Sequence, residues 1–113
     1  MARTVRWSEA AASDLEEAAD FIARDSRYYA AALVRDARAA ARSLRTLAER
    51  GRIVPEARSG NVREIPVKSY RLIYRVAPGE VTVLAFVYGA RDLPTLWQNR
   101  VSRITQNSPT SIT

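Results

Sequence analysis

The residues best suited to chemistry in this sequence are arginines in one predicted strand, residues 70–76, which read Tyr-Arg-Leu-Ile-Tyr-Arg-Val. Side chains alternate between the two faces of a strand, so Arg71 and Arg75 should share one face while Leu72 and Tyr74 share the other. If the apolar set packs on the helices, the two arginines stand on an open face. A planar guanidinium group binds phosphate or carboxylate through paired hydrogen bonds, so this face predicts an anionic ligand.

Two further arginines extend this prediction. Arg63 lies in the preceding strand and Arg91 follows the last one, so several guanidinium groups could converge on one surface of the sheet. The alternative is that each arginine is solvated or pairs with an acid, Glu64 or Asp92. For any single arginine we prefer that ordinary explanation, and for the group together we favour an anion-binding surface.

A second set of arginines follows the predicted second helix. Its members recur at spacings of three, four and three residues and form a stripe along one helix face: Arg35, Arg38, Arg42 and Arg45. That geometry suits the phosphate backbone of a nucleic acid or an acidic partner helix. A plain solvated face has the same pattern, and we take it as the simpler interpretation of this stripe.

The composition excludes several chemistries. The 113-residue chain contains neither cysteine nor histidine, which removes disulfide bonds, the usual zinc ligands and the Ser-His and Cys-His nucleophile pairs. We therefore expect no metal site and no cofactor. The formal net charge is +6, and residues 50–113 carry the whole excess, with ten basic and four acidic residues. Lys68 is the one basic residue that is not arginine, a bias that suits anionic partners but also follows from a GC-rich genome.

The spacing of apolar residues predicts two helices near the start of the chain. Residues 3–7 alternate as a short N-terminal strand, and Ser8 is a typical N-cap for a helix over residues 9–24. A second helical pattern continues through Leu47 to Gly51, which is a typical stop signal. The two helices should form an antiparallel hairpin.

Beyond Pro55 the apolar period changes from helical to alternating. The pattern predicts strands over residues 62–67, 70–76 and 81–88, and a final short helix over residues 93–104. We therefore expect an α+β fold, with an N-terminal strand, a helical hairpin packed on a mainly antiparallel four-stranded sheet, and a short C-terminal helix. The core residues that should join hairpin and sheet are Leu15, Ile22, Leu33, Leu44, Leu72 and Tyr74.

The length indicates a single domain over residues 1–104, followed by a polar tail over residues 105–113. No segment reaches the roughly 18 consecutive apolar residues of a membrane span, and the N-terminus lacks the apolar run of a signal peptide. We expect no membrane partner and a cytoplasmic location.

Taken together, these segments resemble the RelE/ParE toxins of bacterial type II toxin-antitoxin systems. The likeness covers roughly residues 3 to 100 and is specific as a combination, since each motif alone is weak. The matching motifs are Val-x-Trp-Ser at 5–8, Asp-Leu at 14–15, Val-Arg-Glu-Ile at 62–65, the strand at 70–76, Val-Leu-Ala at 83–85 and Gly-x-Arg-Asp-Leu at 89–93. The family has the fold that the periodicity predicts.

The resemblance implies one of two activities. RelE-like members cleave mRNA in the ribosomal A site without a metal, using basic residues and, in the best-known type, a C-terminal aromatic hydroxyl. Arg71 and Arg91 match the two arginines of that site. Trp97, however, stands where that type has tyrosine, and an indole has no proton to exchange at a useful pKa. The upstream lysine cluster is reduced to Arg63 and Lys68, so the catalytic set is incomplete.

ParE-like members instead use the same scaffold to inhibit DNA gyrase and end in a short C-terminal helix after an Arg-x-Asp-Leu type of motif. Residues 91–100 resemble that ending. We therefore favour a ParE-like gyrase inhibitor, which is not an enzyme, over a metal-independent endoribonuclease acting on mRNA in the ribosome.

Both activities imply a cognate antitoxin whose C-terminal segment wraps the helices and sheet of the toxin. A net charge of +6 suits an acidic, disordered partner of that kind. A third hypothesis is a non-toxic nucleic-acid-binding module that uses the arginine stripe of the second helix. The residues expected to bind the target or an anion are Arg63, Arg71, Arg75, Arg91 and Trp97.

Overall fold

A computed structural model describes residues 2–57 and 59–89. The predicted C-terminal helix over residues 93–104 and the tail over residues 105–113 lie outside the described residues. The elements, in chain order, are β1 (Thr4–Trp7), α1 (Glu9–Ala23), α2 (Arg27–Ser43), β2 (Arg52–Ile53), a 3-10 turn (Pro55–Ala57), β3 (Val62–Val67), β4 (Tyr70–Ala77) and β5 (Glu80–Tyr88). This order confirms the predicted α+β class.

The strands of the described part form one sheet in the order β1-β5-β4-β3-β2. β1 runs parallel to β5, and all the other neighbours are antiparallel. The sheet thus has five strands rather than the expected four, because the two-residue strand β2 pairs with β3 at its edge. Two residues are too short for a periodic signal of their own, so only pairing with β3 makes them a strand.

Serine side chains begin both helices. The Ser8 hydroxyl accepts a hydrogen bond from the backbone N–H of Ala11 at 3.0 Å, and the Ser26 hydroxyl accepts one from that of Tyr29 at 3.1 Å. Each bond satisfies a backbone donor that has no partner within the helix. The helices pack against each other, and α1 packs on β5, which places the hairpin on one face of the sheet. None of the described helices is long and apolar enough to cross a membrane.

The main core lies between this hairpin and the sheet. Leu15, Leu33, Leu44, Leu72 and Tyr74 all belong to one buried cluster, which confirms the predicted packing. The sixth expected member, Ile22, is partly buried at the edge of the same cluster.

Helix α2 ends at Ser43, well before Gly51, so the predicted end of this helix was wrong. Leu47, the last apolar position of the expected helical stripe, is 58% exposed. Beyond the helix, backbone carbonyls accept hydrogen bonds from distant parts of the chain. The carbonyl of Arg45 accepts from the N–H of Arg3 at 2.8 Å, and the carbonyl of Ala48 accepts from a tyrosine hydroxyl in β4. The spacing of apolar residues in the sequence does not predict such distant partners.

That hydroxyl belongs to Tyr74 and fastens the segment after α2 to the sheet. It donates to the carbonyl of Ala48 at 2.8 Å and accepts from the N–H of Gly51 at 3.0 Å. A Cβ at Gly51 would lie 2.6 Å from both the Tyr74 hydroxyl and the backbone oxygen of Glu64. Gly51 is therefore needed for close approach, and this contact sets the position of the neighbouring Arg50 and Arg52.

The sheet face away from the helices is not open, contrary to expectation. A second buried cluster on this face contains Val54, Val62, Ile73, Leu84 and Val87. The reason is that β5 is apolar at successive positions and so presents apolar side chains on both faces, each of which must be removed from water.

Candidate functional site

Arg71, the central residue of the predicted site, lies beside a buried carboxylate. In the β3–β4 pairing Pro66 is opposite Arg71 and Glu64 is opposite Ile73, so Glu64 and Arg71 are diagonal neighbours on one face. The Arg71 Nη1 lies 3.3 Å from the Glu64 Oε1. The side chain of Glu64 is only 5% exposed and that of Arg71 is 21% exposed. The charge of Arg71 is thus largely engaged within the protein.

A second arginine holds the other oxygen of the same carboxylate. Arg52 is directly opposite Glu64 across the β2–β3 pair, and its Nε lies 2.5 Å from the Glu64 Oε2. The side chain of Arg52 is 75% exposed. The Nε of Arg71 is buried and has no hydrogen-bond partner among residues 2–57 and 59–89. Glu64 therefore binds the guanidinium groups of Arg52 and Arg71. The Nε–H of Arg71 remains a buried donor without a described acceptor.

These side chains border an open cavity of about 450 Å³. We call it the Arg71 cleft, and its lining consists of Arg50, Gly51, Arg52, Glu64, Ile65, Pro66 and Arg71. The lining contains three arginines and one carboxylate, so the cleft has a net positive charge. It suits an anion, but the buried carboxylate already occupies part of its hydrogen-bonding capacity.

The structure separates the predicted arginines. Arg75 shares the face of Arg71, lies opposite Val62 and is half-buried. Arg63 lies opposite Tyr74 and therefore points to the helix side of the sheet, where it donates to the carbonyl of Gly51 at 2.7 Å. The expected convergence of Arg63 with the other arginines was wrong, because alternation within each strand does not reveal the register between strands. Arg91 and Trp97 lie outside the described residues, and their roles stay predictions.

Two tyrosines of the described region have a raised pKa. Burial raises the pKa of Tyr74, an effect that the hydrogen bond from Gly51 partly offsets. Burial, and then the neighbouring Tyr88, raise the pKa of Tyr70. Both hydroxyls thus stay protonated at neutral pH. Residues 2–57 and 59–89 contain no cluster of three acidic side chains that could hold a metal ion.

Sequence reasoning missed the contacts of two arginines of this cleft and of one carboxylate that anchors α1. Arg50 and Arg52 gave no signal, because β2 exists only through its pairing with β3. Asp14 was noted only as part of a motif, yet its carboxylate accepts from the backbone N–H of Phe86 at 3.0 Å. The pairing of β1 with β5 ends at Trp7 and does not reach Phe86. The bond from Phe86 to Asp14 therefore gives this backbone N–H a partner and anchors α1 to the sheet.

Comparison with known proteins identifies the family. A family model described as the ParE toxin of the type II toxin-antitoxin system parDE matches residues 5–93. The chain belongs to the ParE toxin family.

The ParE family match includes Arg71 and Arg91 and ends before Trp97. Among solved structures, 11 chains match this ParE-family protein. One of them, titled "Chromosomal ParDE TA system from P. aeruginosa", is 21% identical with a TM-score of 0.63, and the match covers 76% of this chain and 95% of that chain. At this identity the likeness establishes a shared fold. No curated protein matches.

Proposed function

We propose that this ParE-family toxin arrests bacterial growth by inhibiting DNA gyrase and that a cognate antitoxin neutralises it. The observation that carries the proposal is the match of residues 5–93 to a ParE model. It agrees with the resemblance of residues 91–100 to the ending of ParE-like sequences.

The ion pair between Arg71 and Glu64 supports a gyrase inhibitor over an mRNA endonuclease. In a RelE-like enzyme the matching arginine would stabilise negative charge that develops on phosphate in the transition state. Here Glu64, 5% exposed, lies 3.3 Å from that guanidinium group. A buried carboxylate at this distance both neutralises the arginine and repels a phosphate that approaches it. An inhibitor that acts by binding needs no free cation at this position.

The charge of the chain supports an acidic antitoxin. The formal net charge is +6. An acidic segment that folds on the toxin would neutralise this excess and gain affinity from it.

The deciding experiment compares two targets with one preparation of the chain. Gyrase is assayed for supercoiling of relaxed plasmid and for DNA breaks, and ribosomes are assayed for cleavage of mRNA. We expect inhibition and breaks with gyrase, and intact transcripts with ribosomes. Removing residues from Leu93 onward should abolish the effect on gyrase.

The matched variants are Arg71→Ala and the double variant Glu64→Ala/Arg71→Ala. The double variant removes both members of the pair, so it does not leave a buried carboxylate with a single exposed partner. Both variants, if folded by circular dichroism, should still inhibit gyrase. Ribosome-dependent cleavage by the wild type that is lost in both variants would overturn the proposal in favour of an endonuclease.

Growth provides a test of toxicity itself. Expression of the chain alone should stop growth, and co-expression of the cognate antitoxin should restore it. Normal growth at confirmed soluble expression, in a host without an antitoxin, would contradict the assignment as a toxin.

A further inference from the structure

A second cluster of arginines borders a cleft at the opposite edge of the sheet. The cleft lies between α2 and the edge strand β1 and has a volume of about 500 Å³. We call it the α2–β1 cleft, and its lining consists of Ala2, Arg3, Thr4, Val5, Trp7, Arg38, Ala41, Arg42 and Arg45. Four of these residues are arginine and none is acidic.

Within the described part of the chain, the arginines of this cleft form no ion pairs. Arg38, Arg42 and Arg45 are exposed. Arg3 uses its Nε to donate to the carbonyl of Ala77 at 3.4 Å, which leaves its terminal nitrogens available. Four positive charges thus face one space, and a polyanion would relieve their mutual repulsion.

The structure holds these charges in a regular arrangement. The backbone N–H of Arg3 donates to the carbonyl of Arg45 at 2.8 Å, so the two walls of the cleft are tied together. At about 1.5 Å per helical residue, Arg38 and Arg42 lie about 6 Å apart along α2, and Arg45 follows just beyond the end of the helix. Arg35, the remaining member of the sequence stripe, does not line the cleft and lies 3.9 Å from Asp36.

We propose that the α2–β1 cleft binds the phosphodiester backbone of a nucleic acid without sequence preference. Guanidinium groups bind phosphate oxygens through paired hydrogen bonds, and a row of them matches the repeated charges of a backbone. An acidic protein segment needs apolar anchors in addition to charge. The apolar lining consists of two alanines, Val5 and the half-buried Trp7, so we expect the four arginines to dominate the recognition. The proposal concerns a surface separate from the Arg71 cleft and does not depend on gyrase as the target.

Salt dependence tests the proposal. Binding of a fluorescent, random-sequence DNA duplex to the purified chain is followed by anisotropy between about 50 and about 200 mM salt. Each phosphate contact adds about 0.9 to the slope of log affinity against log salt, so four contacts predict a slope near −3.6 and a fall of about 150-fold over this range. The triple variant Arg38→Ala/Arg42→Ala/Arg45→Ala should lose about 2.7 of this slope.

A matched control separates this site from general charge. The triple variant Arg24→Ala/Arg27→Ala/Arg35→Ala removes the same number of exposed arginines, none of which lines the cleft. Circular dichroism is used to check that both variants are folded. The proposal is supported if the control variant keeps the wild-type slope of log affinity against log salt while the cleft variant has the reduced slope.

Two results would overturn it. Equal losses in both triple variants would assign the affinity to overall charge. A cleft variant that binds DNA like the wild type but loses affinity for a poly-glutamate peptide would assign the cleft to an acidic protein segment. Gyrase assays bear on neither result, so this proposal and the proposed function can fail separately.

Discussion

The hydroxyl of Tyr74 provides the sharpest test of how the fold supports the Arg71 cleft. Tyr74 is completely buried, and its hydroxyl joins the carbonyl of Ala48, at 2.8 Å, to the N–H of Gly51, at 3.0 Å. Tyr74→Phe removes this oxygen and leaves a buried donor and a buried acceptor without their partner. The segment that carries Arg50 and Arg52 then loses one of its polar attachments to the sheet, while the bond from Arg63 to the carbonyl of Gly51 remains.

The cost follows from the two groups left unpaired. Each unsatisfied buried polar group costs about 1–3 kcal/mol, so the two groups together should lower the free energy of unfolding of Tyr74→Phe by about 2–6 kcal/mol. For a domain of this size 1 kcal/mol shifts the melting temperature by about 4 °C, which predicts a decrease of about 8–24 °C.

Thermal and urea denaturation followed by circular dichroism measure this change. Tyr28→Phe is the matched control, because the side chain of Tyr28 is 73% exposed and its variant should stay within about 0.5 kcal/mol of the wild type. A Tyr74→Phe variant as stable as the control would refute the inferred pairing of the hydroxyl.

Alkaline pH gives a second measure of the same group. Burial raises the pKa of Tyr74 in the folded state above its ordinary value of 10.0. The unfolded chain therefore loses this proton first, and the stability due to the neutral hydroxyl is complete below pH 10 and is lost as pH rises through the folded pKa. The difference in stability between wild type and Tyr74→Phe should shrink above pH 10, and a constant difference would contradict this argument.

Three further experiments test other contacts. Gly51→Ala should cost about 2 kcal/mol or more, because its Cβ would lie 2.6 Å from the Glu64 backbone oxygen, and an unchanged melting temperature would be evidence against this close approach. Leu33→Ala, at a fully buried position, should cost about 2–5 kcal/mol in urea denaturation, whereas Leu47→Ala, at a position 58% exposed, should cost less than about 1 kcal/mol; equal costs would contradict the core assignment. In a double-mutant cycle, Arg71→Ala should couple to Glu64→Ala by about 0.5–3 kcal/mol, and strict additivity would show that the pair does not interact.

Much of the fold could be predicted because it depends on local patterns. Ser8 begins α1 because its side chain caps the helix, and the bounds of β3 agree with the predicted strand at residues 62–67. Alternation in β4 placed Leu72 and Tyr74 correctly towards the helices, since the pleat alone decides which neighbours share a face. The motifs along the chain also identified the toxin family, which the match over residues 5–93 confirms.

The candidate site depended on contacts between distant segments. The sequence by itself determined that Arg71 and Arg75 share a face of β4, but only the register of β3 against β4 set Glu64 beside Arg71 and turned Arg63 to the helix side. Tertiary pairing also created β2, which supplies Arg52 to the same carboxylate. The physical reason is that the direction of a side chain within a strand is fixed over two residues, whereas register and strand neighbours are set by long-range hydrogen bonds and by burial of both faces of the sheet.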